Sequence, residues 1–256
     1  MRRAAALLVL AVAPLAAQPA TEAPIPLERA EVVNRYPHDP AAFTEGLFID
    51  GGQLFESTGM TGRSSVRQVD LKTGKVLKRA AVPQPHFGEG IAPWKGQVLS
   101  LTWQGGVGYR WDRKSLKRIG TFRYEGEGWA LTSTGSELVM SDGTDTLRFV
   151  DPASFAVKRR LKVTIQGRPL RNINELEWID GQVWANIWMT DYVARIDAES
   201  GKVVGIVDLS ALHRAAGAHG EDQVANGIAW DARARRLYMT GKEWPYLFEV
   251  RLVPAR

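Results

Sequence analysis

The sequence predicts an all-β chain folded as a five-bladed β-propeller, because one short phrase recurs five times along it. The phrase begins with Glu or Asn and continues with small and apolar residues. Its copies lie at Glu45–Phe48, Glu89–Ala92, Glu127–Ala130, Glu175–Trp178 and Asn226–Ala229. Successive copies start 38 to 51 residues apart, a period typical of propeller blades built from short strands. Five copies therefore predict five blades.

Each repeat has the same internal order, which predicts up to four strands per blade. After the phrase comes a turn, rich in Gly or Asp, and then a second strand. The second strands are predicted at Gln53–Ser57, Gln97–Leu101, Glu137–Ser141, Gln182–Asn186 and Arg236–Thr240. The third strand of four repeats ends on an aspartate that we expect to cap the following turn: Asp70, Asp112, Asp151 and Asp197. A fourth strand such as Val76–Val82 then completes the repeat.

The fifth repeat is incomplete, and this predicts how the ring closes. It stops after a third strand, Tyr246–Leu252, while a free strand, Ala30–Arg35, precedes the first repeat. We expect this N-terminal strand to supply the missing outer strand and so reduce the exposed sheet edges. A β-sandwich or an ordinary barrel is the alternative fold. The best helical candidate is Leu209–Gly217, in the insertion before the fifth repeat.

The N-terminus predicts export. Residues 1–17 combine Arg2-Arg3, an apolar core at Ala4–Ala13 and a small-residue end, as a secretory signal peptide does. The apolar run is shorter than the roughly 20 residues that a membrane span needs. We expect residues 18–29 to be a flexible segment and residues 30–256 to form a single propeller domain. A periplasmic or secreted location follows from the signal.

Composition excludes several classes of function. The net charge is +5, and no basic run stands out, so nucleic-acid binding has no support. The chain has no cysteine, which removes disulfides and a thiol nucleophile. Its four histidines show no paired metal-ligand spacing, and neither a Gly-x-Ser-x-Gly elbow nor a phosphate loop occurs. The expectation is a site without a metal or a cofactor.

The repeat brings a polar and aromatic set to one mouth of the predicted ring. Second strands run antiparallel to first strands, so Trp103, Trp188 and Lys242 should surround the repeated Glu and Asn residues. Trp129 follows Glu127, and Phe43 and Phe87 each stand two residues before a repeated Glu. Aromatic walls of this kind exclude water and bind apolar or cationic groups.

Each of these residues has a structural alternative. The tryptophans could simply pack between blades. Glu127 and Glu175 are expected to bind backbone N–H groups near the channel rather than a substrate. Lys242 could lie on the surface, although the Gly241–Pro245 segment around it is too rigid and aromatic for an ordinary surface turn.

The phrases together resemble a known family. They are His38–Leu47, Phe87–Ile91, Leu101–Trp103, Gly126–Trp129, Met140–Gly143, Asn174–Glu177, Asn186–Trp188, Asn226–Ala229 and Thr240–Pro245. In order and spacing they are similar to the plant and bacterial glutaminyl-peptide cyclotransferases, from about residue 31 to residue 252. That family is a five-bladed propeller that converts the N-terminal glutamine of peptides to pyroglutamate and releases ammonia.

The resemblance implies roles for the residues at the mouth. It makes Glu89 the acid/base residue. It places eight further residues around the substrate: Phe43, Glu45, Phe87, Trp103, Trp129, Asn174, Trp188 and Lys242. The developing oxyanion could be stabilised by Lys242, by Asn174 or by an indole N–H, and the sequence does not decide among them. Plant members typically carry Gln where this chain has Glu45, which leaves the role of Glu45 open. The expected partners are N-terminal glutaminyl peptides or proteins, and the expected state is a monomer.

Two other functions remain open from the sequence. A calcium-dependent lactonase-type propeller would hold a metal on Glu, Asn and Asp side chains in the channel. Trp103, Trp188 and Lys242 at the same mouth argue against it, because hard cations prefer oxygen ligands and an ammonium repels them. The other alternative is a non-catalytic periplasmic binding propeller.

Overall fold

The computed structural model describes residues 24–255, and their fold is all-β and propeller-like. The predicted signal, residues 1–17, lies outside the described residues. The N-terminal strand β1 (Leu27–Pro37) begins earlier than the predicted Ala30–Arg35, so part of the segment expected to be flexible is strand. Within residues 24–255 no helix is long and apolar enough to cross a membrane.

Three consecutive four-stranded sheets follow β1, and each runs in simple chain order. The first contains β2 (Thr44–Asp50), β3 (Gln53–Thr58), β4 (Ser65–Val69) and β5 (Val76–Ala81). The second contains β6 (Gly88–Trp94), β7 (Gln97–Thr102), β8 (Val107–Asp112) and β9 (Arg118–Arg123). The third contains β10 (Ala130–Ser133), β11 (Leu138–Ser141), β12 (Thr146–Val150) and β13 (Val157–Lys162). Neighbouring strands within each sheet are antiparallel.

The remaining strands form a small hairpin and one eight-stranded sheet. The hairpin pairs β14 (Thr164–Ile165) with β15 (Arg168–Pro169). Then come β16 (Ile173–Ile179), β17 (Gln182–Ile187), β18 (Tyr192–Asp197), β19 (Val203–Asp208), α1 (Ser210–Ala216), β20 (Ala225–Asp231), β21 (Arg236–Gly241) and β22 (Tyr246–Pro254). The sheet order is β16-β17-β18-β19-β1-β22-β21-β20. Strand β1 pairs antiparallel with β22 from Glu28 to Pro37, and a short parallel stretch joins it to β19.

The first strands of the repeats contact one another in a cycle. Strand β2 packs beside β6, β6 beside β10, β10 beside β16, β16 beside β20, and β20 beside β2. Each of these strands buries an apolar residue that lies in the repeated phrase or directly after it: Leu47, Ile91, Leu131, Leu176 and Ile228. Burial of these side chains removes apolar surface from water and supplies the main driving force for the packing.

The aspartates at the third-strand ends cap turns, as the sequence predicts. One carboxylate oxygen of each accepts the backbone N–H and the hydroxyl of a Thr or Ser three residues later. Such Asx turns satisfy backbone groups that no strand partner reaches. This set is therefore structural, and it leaves the polar residues of the first strands as candidates for chemistry.

Candidate active site

All nine residues that the sequence nominates for the site line one cavity of about 400 Å³. The cavity lies where the first strands begin, at one end of the cycle that they form. Its lining is Phe43, Glu45, Met60, Phe87, Glu89, Trp103, Trp129, Asn174, Trp188, Asp222 and Lys242. Met60 and Asp222 were missed, because both lie in loops outside the repeated phrase. The roles assigned to these residues stay predictions, but their convergence is a fact of the structure.

Irregular strand pairing aims the polar side chains into the cavity. In four of the five first strands, the register with the second strand shifts at the repeated Glu or Asn. These shifts bracket Glu45, Glu89, Glu175 and Asn226. A bulge places an extra residue in one strand and re-aims its side chain, which regular pleating would not allow. In the third repeat β10 begins only at Ala130, so Glu127 stands outside the strand.

Glu45 and Lys242 form a buried ion pair at the centre of the site. Lys242 Nζ lies 2.8 Å from Glu45 Oε1, and both side chains are at most 8% exposed. The ammonium also lies 4.4 Å from the centre of the Phe43 ring, a cation–π distance. The ion pair fixes both groups and holds one positive charge beside the cavity.

The turn that carries Lys242 is held by a second buried network. The backbone N–H of Lys242 donates to Val224 O, and that of Glu243 donates to Ala42 O. His38 Nδ1 lies 2.6 Å from Trp244 O, and His38 Nε2 lies 2.9 Å from Glu56 Oε1. These bonds join the turn to the first sheet, so Lys242 is placed from two sides.

One asparagine, Asn226, connects the ion pair to Asn174. Asn226 Nδ2 donates to Thr44 O at 2.8 Å and to Glu45 Oε2 at 3.3 Å. Asn226 Oδ1 in turn accepts from Asn174 Nδ2 at 3.1 Å. One N–H of the Asn174 amide is used in this way, and the amide has a second N–H to offer. Asn226 therefore orients two cavity residues, although it does not line the cavity itself.

Glu89 is a carboxyl group of the cavity whose surroundings favour its protonated form. It is 6% exposed, and no hydrogen bond joins its side chain to another residue within 24–255. Burial raises the pKa of Glu89 well above its ordinary value, and the negative charge of Glu45 raises it further against the opposing charge of Lys242. Burial also raises the pKa of Glu45, but there the direct contact with Lys242 opposes the rise. Of the two groups, Glu89 is therefore the one whose pKa is raised further.

The cavity walls are aromatic and meet edge to face. Phe87 lies 6.2 Å from Phe43 and 6.0 Å from Trp103, between ring centres, and Trp129 lies 5.6 Å from Trp188. Such geometry matches the positive edge of one ring to the negative face of the next. Two of these rings, Phe87 and Trp129, pack directly against glycines, where a side chain would clash. A Cβ at Gly59 would stand 2.4 Å from Phe87, and one at Gly143 would stand 2.6 Å from Trp129.

Two further glutamates of the repeat, Glu127 and Glu175, lie close by. The predicted hydrogen bonds to backbone N–H groups are found for one of them. Glu175 Oε1 accepts the backbone N–H of Leu47, and its Oε2 accepts that of Ile228, so the expected backbone role is confirmed. The same expectation is wrong for Glu127. Its carboxylate accepts hydrogen bonds from the indole N–H groups of Trp103 and Trp129. The reason is local, since Glu127 precedes its strand and faces the wall instead of the channel.

Across residues 24–255, no group of three or more His, Cys, Asp or Glu side chains is arranged to hold a metal ion. Within the protein the charge of the Glu45 carboxylate is balanced by the Lys242 ammonium, while burial raises the pKa of Glu89. Chemically, the site offers a carboxyl with a raised pKa, a cation and an amide N–H among aromatic rings.

Comparisons with known proteins show the family to which the chain belongs. A family model described as glutamine cyclotransferase matches residues 6–252, so the chain belongs to the glutamine cyclotransferase family. The chain is 42% identical over 234 residues to a protein of Arabidopsis thaliana named glutaminyl-peptide cyclotransferase, covering 90% of this chain and 73% of that protein. It is also similar to the crystal structure of Myxococcus xanthus glutaminyl cyclase, with a TM-score of 0.86 and 38% identity, covering 91% of this chain and 100% of that one. The resemblance read from the motifs is confirmed.

Proposed function

We propose that this chain is a glutaminyl-peptide cyclotransferase that converts N-terminal glutamine to pyroglutamate and releases ammonia. One observation carries the proposal: a protonatable buried carboxyl, a buried ammonium and five large aromatic rings converge on one cavity. Membership of the glutamine cyclotransferase family supports it.

The reaction is intramolecular, and this explains the shape of the site. The α-amine of the glutamine attacks its own side-chain amide carbon, so a new C–N bond closes a five-membered ring. The substrate must therefore fold back on itself, and a narrow aromatic slot favours that folded shape. Positioning of this kind supplies much of the rate of an intramolecular step. Phe43, Phe87, Trp103, Trp129 and Trp188 are proposed as the walls of the slot.

Glu89 is proposed to carry the proton between the two nitrogens. Its carboxylate takes a proton from the α-amine as the C–N bond forms. The same proton then goes to the side-chain nitrogen, the bond from that nitrogen to the amide carbon breaks, and ammonia leaves. A carboxyl with a raised pKa can act in both directions near neutral pH, because it neither holds nor loses the proton too firmly.

Lys242 and Asn174 are proposed to stabilise the tetrahedral intermediate. Negative charge develops on the amide oxygen during the attack, and prearranged donors lower the energy of that state. The Lys242 ammonium and the second N–H of Asn174 line the same cavity as Glu89. The ion pair with Glu45 keeps Lys242 in place before the substrate arrives.

The fold that presents this site is proposed to be a closed five-bladed propeller. In this view β1 is the outer strand of the fifth blade, after β20, β21 and β22. The antiparallel register of β1 with β22 supports this, as does the cyclic contact of the five first strands. We also propose that residues 1–17 are a secretory signal, that residues 30–256 form the propeller domain, and that the enzyme is a periplasmic or secreted monomer.

The test is turnover of a glutaminyl dipeptide such as Gln-Ala by chelator-treated protein. We expect ammonia and a pyroglutamyl product in equal amounts, with activity unchanged by EDTA or phenanthroline. Inactivity that added calcium reverses would favour a lactonase-type metal site. Binding of the dipeptide without ammonia release would favour a non-catalytic binding protein.

A further inference from the structure

The side chain of Glu127 ties together two walls of the cavity without lining it. Glu127 Oε2 accepts hydrogen bonds from Trp103 Nε1 at 2.9 Å and from Trp129 Nε1 at 2.8 Å. Its other oxygen accepts from Gln104 Nε2 at 3.1 Å. Trp103 follows β7 of the second sheet, and Trp129 precedes β10 of the third. One carboxylate therefore spans the seam between two sheets.

The two indoles need an external tether of this kind. Trp103 is 40% exposed, and among the described residues the Phe87 ring is its one aromatic contact. A half-exposed ring at a cavity mouth can turn about its side-chain torsions unless its polar edge is bound. Hydrogen bonds to a charged acceptor are stronger than neutral ones, so the Glu127 carboxylate is an effective tether.

Hydrogen bonds from Arg148 and to the neighbouring sheet hold the backbone around Glu127. Arg148 is buried, and its guanidinium donates to Glu125 O and Glu127 O, each at 2.6 Å. The N–H of Gly128 donates to Trp103 O at 3.0 Å, which fixes the segment to the neighbouring sheet. These hydrogen bonds hold the backbone that carries the Glu127 carboxylate in a fixed position.

The Glu127 carboxylate is also ionised in the working range of pH. Burial raises its pKa, but the hydrogen bonds from Trp129, Gln104 and Trp103 outweigh burial, and the pKa of Glu127 lies below its ordinary value. A charged acceptor is therefore available whenever the enzyme is near neutral pH.

From these contacts we infer that Glu127 is a positioning residue, which sets the distance and angle between the Trp103 and Trp129 walls of the substrate slot. The inference rests on the proposed cyclotransferase function. It assigns no chemistry to Glu127. It predicts that loss of the two indole hydrogen bonds weakens the capture of the folded glutamine more than the chemical step.

Two substitutions of Glu127 distinguish the effect of its hydrogen bonds from the effect of its negative charge. Glu127→Leu removes every acceptor. Glu127→Gln removes the charge, but its oxygen can still accept from both indoles while its amide nitrogen donates to the Gln104 amide after that group turns over. We expect Glu127→Leu to raise KM for Gln-Ala about tenfold with kcat within about threefold of the wild type. Glu127→Gln should leave KM within about twofold.

The matched control is Glu125→Leu, which alters an exposed acid in the same loop and should leave KM unchanged. A spectroscopic readout accompanies the kinetics. In Glu127→Leu, two of the nine tryptophan indole N–H resonances should move, and they should be those lost in Trp103→Phe and Trp129→Phe.

The inference is overturned if Glu127→Leu keeps its wild-type KM, or if Glu127→Gln is impaired as much as Glu127→Leu. If Glu127→Leu does not fold, Trp103→Phe/Trp129→Phe removes the same hydrogen bonds from the other side. An unchanged KM in that double variant also overturns the inference. Absence of turnover in the wild type would instead refute the proposed function, so the two failures are distinguishable.

Discussion

At the scale of the residue, the glutamates in and around the cavity differ in their partners for hydrogen bonds and ion pairs. Glu45 is compensated by Lys242, Glu127 by three N–H donors, and Glu89 by none of the described side chains. The uncompensated group, Glu89, has a raised pKa, which is consistent with the proposed proton transfer. Identical residue types in a repeated phrase thus acquire different chemistry from their neighbours.

Replacing Glu45 by Gln should lower the pKa of Glu89. Burial is the main reason that the pKa of Glu89 is raised, and the negative charge of Glu45 comes next, so removing that charge favours the Glu89 carboxylate. The acid limb of the kcat/KM profile should then move to lower pH by about one unit. A limb that stays in place, or moves to higher pH, would contradict the assignment of that limb to Glu89. Glu125→Gln, in an exposed loop, is the control and should not move it.

The sequence predicted the lining of the cavity well and its hydrogen bonds poorly. A repeat superposes equivalent positions, so Trp103, Trp188 and Lys242 could be placed at one mouth without any structure. Met60 and Asp222 were not predicted as lining residues, because they lie in loops whose positions the repeat does not align. The indole contacts of Glu127 were not predicted, because β10, the first strand of the third repeat, begins later than the repeat implies.

At the scale of the element, the first strands approach one another too closely for side chains at some positions. A Cβ at Gly90 would stand 2.4 Å from Ala130 Cα and 2.6 Å from Leu131 N, both backbone atoms of the neighbouring strand. Glycine beside Glu89 therefore lets β6 and β10 pack together. It also fixes how far Glu89 lies from the third sheet.

Gly90→Ala should push β6 and β10 apart. We expect a loss of about 1–3 kcal/mol in the free energy of unfolding, the usual cost of overpacking, together with a fall in kcat/KM because Glu89 moves. Denaturant unfolding and dipeptide turnover measure the two effects. Gly120→Ala is the control, since its nearest neighbour is Arg110 Cδ at 3.5 Å, and it should change stability by less than about 0.5 kcal/mol. Equal stability of the two variants would show that the close approach is unimportant.

Most strands were predictable because alternation, turn residues and the repeat all indicated the same boundaries. The second strands end within about one residue of their predicted limits, and the helical candidate Leu209–Gly217 is observed as Ser210–Ala216. The hairpin of β14 and β15 was not predicted, because its two-residue strands are too short for periodicity to show. The earlier start of β1 was missed because Leu27–Arg29 gains its pairing from β19, far away in the sequence.

At the scale of the whole molecule, two buried carboxyl groups join the first strands across the centre. Glu175 bonds to backbone N–H groups of β2 and β20. Glu177 accepts from Trp230 N at 2.8 Å and from Thr132 Oγ1 at 3.2 Å, which connects β16 to β20 and β10. These groups hold together strands that share no sheet ladder.

Stability should therefore fall as pH rises through the neutral range. Burial raises the pKa of Glu177 from 4.5 to about 8. Between those values the unfolded chain has lost this proton while the folded chain keeps it, so each pH unit costs up to about 1.4 kcal/mol. Denaturant unfolding at several pH values from 5 to 8 measures the slope. Glu177→Gln should make this slope shallower by up to the equivalent of one proton. Glu31→Gln should leave the slope unchanged, because Glu31 is a partly exposed carboxyl whose pKa is lowered by hydrogen bonds from Arg29 and Arg251. An unreduced slope in Glu177→Gln would contradict the assignment.

Glu89 is proposed to carry the proton in a cyclisation that takes place in this cavity. The direct test of that role is ammonia release from Gln-Ala by the wild type and by Glu89→Gln, with thermal unfolding of both proteins as the check on folding. We expect Glu89→Gln to unfold like the wild type and to lose turnover by about a hundredfold or more, the scale of an acid/base residue. A folded Glu89→Gln protein that releases ammonia at nearly the wild-type rate would show that Glu89 does not carry the proton.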